Sequence, residues 1–446
     1  MGDGFHGGDG VSLADQYGYL HRLAGELARG GQGVVYRTGD SDLAVKQPLG
    51  ADGEPDRSSD LVTRFANIRT LPLPHRIPVS LPLATLRDQP GYVMRLLSDM
   101  QPFVTFELSA DRRDELIKSQ MPAWIAGVKD PATAATLLHY AQSGSTKQRL
   151  WALSRVAAIL ARLHAAGLVY GDISPNNCFV GTGEEPEVWL IDADNLRYEV
   201  LEGGTAVYTP RHGAPEIVQA RDRSRPRTDC WAFSVMAFEA LALVHPFIGR
   251  KVLDPDDDAG GWDAEPMPAG APADLDEQAY AGYLPFVDDQ DDDSNPAMSG
   301  LPRGLVTTPD LAKLFQETFS AGRVEPWRRP AATFWARALT SAHDQSLICS
   351  SCQMSFFRQH AACPYCAQPR QSHVLARTDR WELVLQVTKA DEARLPHRLF
   401  HPFSLELNAR TEYEAVIDPV SRSAAHVRGT AALPAGLTFE FVVGAA

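Results

Sequence analysis

The chain has 446 residues, 44% hydrophobic and 22% charged, enough for two or three domains with separate cores and ordinary for a globular protein in water. Its formal net charge of −14 is concentrated: residues 254 to 293 carry 14 Asp and Glu and no Lys or Arg, and the remainder balances at 42 against 42. A surface without overall sign argues against a chain-wide nucleic-acid footprint. The start, Met1-Gly-Asp-Gly-Phe5, has neither the basic nor the apolar part of a secretory signal, so the expected compartment is the cytoplasm.

In chain order, Leu27 to Tyr36 reads as a strand, a glycine turn and a second strand, with Leu43-Ala-Val-Lys46 on the next strand. Gly30, Gly31 and Gly33 let the backbone approach phosphates closely. Alone such a turn is an ordinary hairpin, but a following lysine is what a phosphate anchor requires. Ser58 to Leu71 has Leu61, Phe65 and Ile68 at helical spacing.

Further on come Tyr170-Gly-Asp-Ile-Ser-Pro-Asn-Asn177 and Trp189-Leu-Ile-Asp-Ala-Asp194. Asp, Ser, Pro and Asn are common turn formers, so Asp172 alone carries little weight. The spacing of two acids and an amide is what phosphoryl transfer uses: Asp172 to orient or deprotonate the attacking hydroxyl, Asn177 and Asp192 to hold the Mg²⁺ that screens ATP phosphates. The longest apolar stretch, Trp231 to Gly249, contains Glu239, His245 and Pro246, a poor membrane span. It reads instead as a buried central helix.

The acidic stretch that follows is rich in Gly and Pro and is expected to be a flexible insertion serving solubility. Asp254 to Glu265 places acids at positions 1, 3, 5 and 12 of a Ca²⁺ loop. Ala259 at the glycine position, Gly261 at the apolar position and Pro255 weigh against that use. Helices are expected near Leu311 to Phe319 and Ala331 to Leu339. Cys349-Ser-Ser-Cys352 and Cys363-Pro-Tyr-Cys366 then form two knuckles whose four thiolates suit tetrahedral Zn²⁺ at about 2.3 Å each. A disulfide pair is the alternative, disfavoured by a reducing compartment. With four protein ligands the metal would be structural. Beyond them, Trp381–Thr388, Phe403–Leu407, Tyr413–Ile417 and Leu437–Val443 alternate like half-buried strands.

From about residue 20 to 340 the motif order resembles eukaryotic-like protein kinases of the bacterial Ser/Thr type. The glycine turn and Lys46 resemble the N-lobe, with Ala28 in place of the first glycine. Gly213-Ala-Pro-Glu216 resembles the end of an activation segment, and Thr228-Asp-Cys-Trp-Ala-Phe233 the start of the central C-lobe helix. The resemblance implies an α+β, bilobal protein-kinase-like fold followed by a Cys₄ zinc ribbon and a small all-β module. The implied divisions are an N-lobe at 1–100, a C-lobe at 101–343 with an acidic insertion at 254–296, a ribbon at 346–372 and a β-rich module at 373–446. ATP would lie against Gly30, Gly31, Gly33, Val35, Ala44 and Lys46. Asp229 would brace the catalytic loop, and Glu216 would pair with Arg329, Arg328 being its rival.

Departures from the family bear on activity. Gly171 removes the arginine that clasps a phosphorylated activation loop, so Thr205, Tyr208 and Thr209 are expected to matter little. Ser174, where a lysine is common, also resembles small-molecule phosphotransferases. No glutamate occurs between Glu54 and Glu107. The acid that holds Lys46 must therefore be Asp60 or Glu54, come from an unusual position, or be missing. The expected function is an ATP- and Mg²⁺-dependent Ser/Thr protein kinase whose ribbon and β-module dock partners. A nucleotide-binding scaffold and a small-molecule phosphotransferase stand as alternatives. The layout, with Asp192-Ala-Asp194 for D-F-G, is also similar to kinases that accompany a von Willebrand A-domain protein and a PP2C-type phosphatase. A protein substrate and those two proteins are the implied partners; no membrane is.

Overall fold

The computed structural model describes residues 11–30, 33–50, 52–183, 186–199, 208–255, 272–378, 382–386, 397–400, 412–417, 424–429 and 438–442. Its first lobe is built on β1 (Ser12–Ala14), β2 (Leu20–Gly30), β3 (Gly33–Thr38) and β4 (Leu43–Pro48), then α1 (Ser59–Arg69), β5 (Ala84–Thr85) and β6 (Tyr92–Arg95). The strands pair antiparallel in the order β1-β2-β3-β4-β6-β5. Val45, Ala84, Leu86 and Val93 form a small core on one side of this sheet. A Cβ on Gly33 would lie 2.7 Å from the Gln47 carbonyl oxygen, so the close approach of β3 to β4 requires glycine there. Asp60 in the first turn of α1 and Arg69 in its last suit the helix dipole, while Phe65 and Ile68 supply the buried face.

The chain leaving α1 is stitched to the second lobe. Val79 bridges Leu190 in parallel, the Ser80 amide donates to the Leu190 carbonyl at 2.8 Å, and the Leu190 amide donates to the Pro78 carbonyl at 3.0 Å. Leu190 ends the short hairpin that precedes Asp192, so the loop behind α1 and the acid-bearing loop share main-chain bonds.

The second lobe begins with β7 (Gln101–Pro102) and continues through α2 (Ala110–Ile117), α3 (Pro131–Gln142) and α4 (Ser145–Ala165). Asp130 caps α3 and Pro131 opens it, a standard helix start. Four short strands follow, β8 (Leu168–Val169), β9 (Cys178–Val180), β10 (Val188–Leu190) and β11 (Arg197–Tyr198). After these come α5 (Pro215–Val218) and the central α6 (Pro226–Ala242), most of whose residues are buried. The remaining helices are α7 (Arg250–Leu253), α8 (Leu275–Tyr280), α9 (Arg303–Val306), α10 (Pro309–Gln316), α11 (Gly322–Val324) and α12 (Ala332–Asp344). One continuous core joins α4, α6, α10 and α12. Arg149 is fully buried in it without a carboxylate partner among the described residues. Its guanidinium donates to the carbonyls of Phe106, Tyr140, Ser143, Ser145 and Ala240 and stacks 4.0 Å from the Tyr140 ring centre. Burial lowers its pKa to about 10, which leaves it charged at neutral pH.

The expectation of a flexible insertion over 254–296 is corrected for its second half; residues 256–271, with most of the Ca²⁺-loop pattern, lie outside the described residues. Phe286 and Val287 enter the core, Asp288 pairs with Arg303 at 2.7 Å, and Asp289 accepts from Gln316 and Ser320. Asn295 is fully buried, donating to the Phe247 and Pro285 carbonyls. Apolar Leu284-Pro-Phe-Val287 in the middle of the acids is the sequence reason.

After α12, β12 (Ser346–Ile348) and β13 (Ser355–Phe357) pair antiparallel and carry the first cysteine knuckle between them. Leu347, Met354, Phe356, Phe357 and the cysteines belong to the core of the second lobe. Gly144 gives α4 no side-chain cap. Ser355 Oγ instead accepts the Lys147 amide at 2.7 Å, the Ser355 amide donates to Ser145 Oγ at 2.9 Å, and Lys147 Nζ donates to the Ser346 carbonyl at 2.9 Å. The hairpin is thus the N-terminal cap of α4.

The described residues beyond it form two three-stranded antiparallel sheets. In one, β14 (His373–Arg377) lies between β15 (Glu382–Gln386) and β19 (Thr438–Val442). In the other, β17 (Glu412–Ile417) lies between β16 (His397–Phe400) and β18 (Ala424–Gly429). Three of the expected strand runs coincide with β15, β17 and β19, whereas Phe403–Leu407 lies outside the described residues. Gln386 exchanges bonds with the Ile348 amide and carbonyl, tying β15 to the cysteine hairpin. No helix among the described residues is long and apolar enough to cross a membrane.

Candidate active site

The segment after β8 turns sharply at Gly171, whose φ of 86° favours glycine. Asp229, in the first turn of α6, holds that turn by accepting the Tyr170 amide at 2.8 Å and the Gly171 amide at 2.9 Å. His164 at the end of α4 completes the brace, 3.0 Å from the same carboxylate. Burial opposes charge on His164, but the Asp229 bond outweighs it and raises the imidazole to about 9. Tyr170 is fully buried and donates its hydroxyl to the Ile191 carbonyl. These contacts set Asp172 at the edge of the cleft.

Three side chains then meet. The Asn177 amide nitrogen donates to the Asp172 carbonyl at 2.9 Å and to its carboxylate at 3.2 Å. An amide engaged through nitrogen keeps its oxygen for a cation. Thr209 Oγ1 donates to the other Asp172 oxygen at 2.8 Å. The Ile191 amide donates to the Asn177 carbonyl at 2.9 Å, which links the Asn177 loop to the Asp192 loop. Ser174 is buried beside them, and its hydroxyl has no partner among the described residues.

Asp192 adopts a left-handed backbone, φ 58°, ψ 57°, and a tight helical turn from Ala193 to Asn195 follows. Two carboxylates therefore reach Lys46 on β4: Asp192, in direct contact, and Asp194 at 2.7 Å. Tyr92, the cross-strand neighbour of Lys46 on β6, donates its hydroxyl to the second Asp194 oxygen at 2.7 Å. Burial pushes the Asp192 carboxyl up to about 6 despite the ammonium beside it. Burial also works against the Asp194 charge, but Lys46 and Tyr92 outweigh it and hold that carboxyl below its usual range. Hard oxygens on Asn177 and a desolvated Asp192 are a donor set that fits Mg²⁺.

Helix α1 lies where expected but brings no acid to Lys46. Asp60 and Glu54 are exposed. The α1 residue that reaches the site is Arg64, which donates to the Asp194 carbonyl at 2.7 Å and to the Asn195 side chain. In the sequence Asp194 stands inside the motif with no pattern that gives it a role, and no motif marks Arg64 or Tyr92. The other candidates fall as follows. Gly30 ends β2 and Gly33 opens β3, with Gly31 outside the described residues; Val35 pairs with Lys46, and Ala44 is fully buried.

At the far end of the segment, Glu216 is clasped by both terminal nitrogens of Arg329 at 2.7 and 2.8 Å, whereas Arg328 pairs with Glu325. Cys178 and Cys230 are buried away from the knuckles. The sulfurs of Cys349, Cys352, Cys363 and Cys366 lie within 4.8 Å of one another, so the four could hold one Zn²⁺.

A sheet-bearing lobe with a lysine over paired carboxylates is a kinase-like arrangement, and comparisons with known proteins find similarity to kinases. Residues 125–200, the stretch with Asp172, Asn177, Asp192 and Asp194, match the Lipopolysaccharide kinase (Kdo/WaaP) family. The chain is similar to Protein kinase YegI of Escherichia coli (strain K12), 26% identical over 234 residues, covering 50% of this chain and 33% of that protein. It is also similar to Ribosomal protein S6 kinase alpha-3 of Homo sapiens, 32% identical over 102 residues, covering 22% of this chain and 13% of that protein. The chain spans about a third or less of the length of these curated relatives.

Proposed function

We propose that the protein transfers the γ-phosphate of Mg-ATP to Ser or Thr hydroxyls of a protein substrate. Asp172 would accept or orient the hydroxyl proton, Asn177 and Asp192 would hold Mg²⁺, and Lys46 with the Gly30–Gly33 turn would hold the nucleotide. The observation that carries the protein-substrate reading is Thr209 on Asp172. It ties the segment ending in the anchored Glu216 to Asp172, which supports the reading that this segment would present an extended peptide to the base. Residues 1–100 and 101–343 would form the two lobes, the cysteines would hold a structural Zn²⁺, and the β-rich residues 373–446 would dock partners. Pairing with a von Willebrand A-domain protein and a PP2C-type phosphatase is supported by the motif resemblance.

A second reading, transfer to a saccharide or other small-molecule hydroxyl, is favoured by the match of 125–200 to a family named for lipopolysaccharide and by Ser174. Pure protein with labelled Mg-ATP and two acceptor sets, mixed Ser/Thr proteins and lipopolysaccharide-type saccharides, separates the two. Label on protein hydroxyls is expected. Label only on saccharide would favour the second reading. Nucleotide binding without transfer to any acceptor would leave a scaffold.

A further inference from the structure

We infer that Asp194 is a positioning residue that takes the place of a helix-borne acid as the standing counter-ion of Lys46, leaving Asp192 to the metal. The inference rests on the phosphotransferase reading of the cleft. Its first support is the difference between the two carboxylates. Asp194 has one oxygen 2.7 Å from the Lys46 ammonium and the other 2.7 Å from the Tyr92 hydroxyl, and its side chain is 10% exposed. Asp192 is 20% exposed, and Lys46 is its one cationic side-chain partner among the described residues. The fixed, doubly satisfied acid suits permanent pairing, and the more accessible one suits a cation.

The second support is how the fold delivers Asp194. Lys46 and Tyr92 are cross-strand partners on β4 and β6, so an ammonium and a hydroxyl leave the same face of the sheet toward one carboxylate. The left-handed Asp192 and the tight turn after it bring the carboxylate two residues later back to that face. An ammonium has three donors, so Lys46 can release Asp192 while keeping Asp194.

The third support is what α1 does instead. Its Arg64 grips the Asp194 carbonyl, and its Phe65 packs edge-on against Tyr92 with ring centres 4.9 Å apart. The helix thus touches the Asp194 main chain and the Tyr92 ring without supplying an acid. Displacing α1 would loosen the counter-ion, not remove it.

The experiment measures binding of Mg²⁺ with a non-hydrolysable ATP analogue by calorimetry, and the Mg²⁺ concentration for half-saturation, for wild type, D194N, D194E, Y92F, D192N and the control D60N. Expected is a loss of nucleotide affinity of at least about tenfold in D194N, with half-saturation by Mg²⁺ within about twofold of wild type. Y92F should show a smaller loss of the same pattern, D194E partial recovery, and D60N none. A rise in the Mg²⁺ requirement of D194N matching that of D192N would overturn the assignment and make Asp194 a metal ligand. Unchanged affinity in D194N also sinks it. If D194N does not fold, Y92F decides: affinity lost with Mg²⁺ dependence intact supports the inference, and wild-type affinity overturns it. Because binding needs no turnover, a wild type that binds but transfers to no acceptor would refute the proposed function while leaving this assignment standing.

Discussion

At the level of single residues, the main revision concerns Thr209. Read from the sequence it was one of three hydroxyls in a loop with no cation to clasp it, whereas in the structure its hydroxyl orients the Asp172 carboxylate. A hydrogen bond to a charged group is worth about 1.5–3 kcal/mol, so T209A should lower turnover by about tenfold or more while T209S keeps most of it. Steady-state assays of both decide, and equal rates would return Thr209 to the bystander role. Asp172 and Asp192 should fail differently. D172N should lower turnover by about a hundredfold or more with nucleotide affinity nearly intact, and D192N should raise the Mg²⁺ requirement and weaken nucleotide binding together. His164 gives a pH prediction. Its folded pKa of about 9 lies above the unfolded value of about 6.5. Its contribution to stability is therefore fully present below the unfolded value and is lost as pH rises through the folded one. Melting temperature measured from pH 6 to 10 should fall across that window in wild type and lose that component in H164Q.

The secondary-structure elements show which parts of the sequence spoke for themselves. The β4 strand, α1, the Asp172 loop and α6 were legible because each carries a periodic apolar pattern or a motif whose spacing is fixed by chemistry. The acid for Lys46 was not legible, since it depends on a left-handed residue and one tight turn that carry no pattern of their own. The folded half of the acidic stretch was hidden because charge count dominated four apolar residues. Nor did the knuckles reveal their attachment: C-x-x-C spacing specifies a metal geometry, not the surface it packs on. That attachment is testable. Ser355 supplies the missing cap of α4, so S355A should cost about 1 kcal/mol in denaturant unfolding. Chelating Zn²⁺ should lower the melting temperature of the second lobe itself, not just expose residues 346–372 to protease, because the cysteines share its core. Unchanged lobe stability after verified metal loss would count against a structural role for the metal.

For the whole molecule, resemblance of motif order brought the two-lobed layout into view, while composition supplied only its scale. The sheets after the cysteine hairpin were partly visible as alternating runs; β14, β16 and β18 were missed because short runs with His and Arg look like loop. The stitch between residues 78–80 and Leu190 bears on how the lobes move. Main-chain bonds there join the loop that follows α1 to the strand before Asp192. The rear of the cleft is thereby pinned like the spine of a book. A hinge motion that keeps those bonds is expected to swing about that spine, with the chain from Arg95 to Gln101 as the flexing cover, so that the mouth gapes while the floor keeps its spacing.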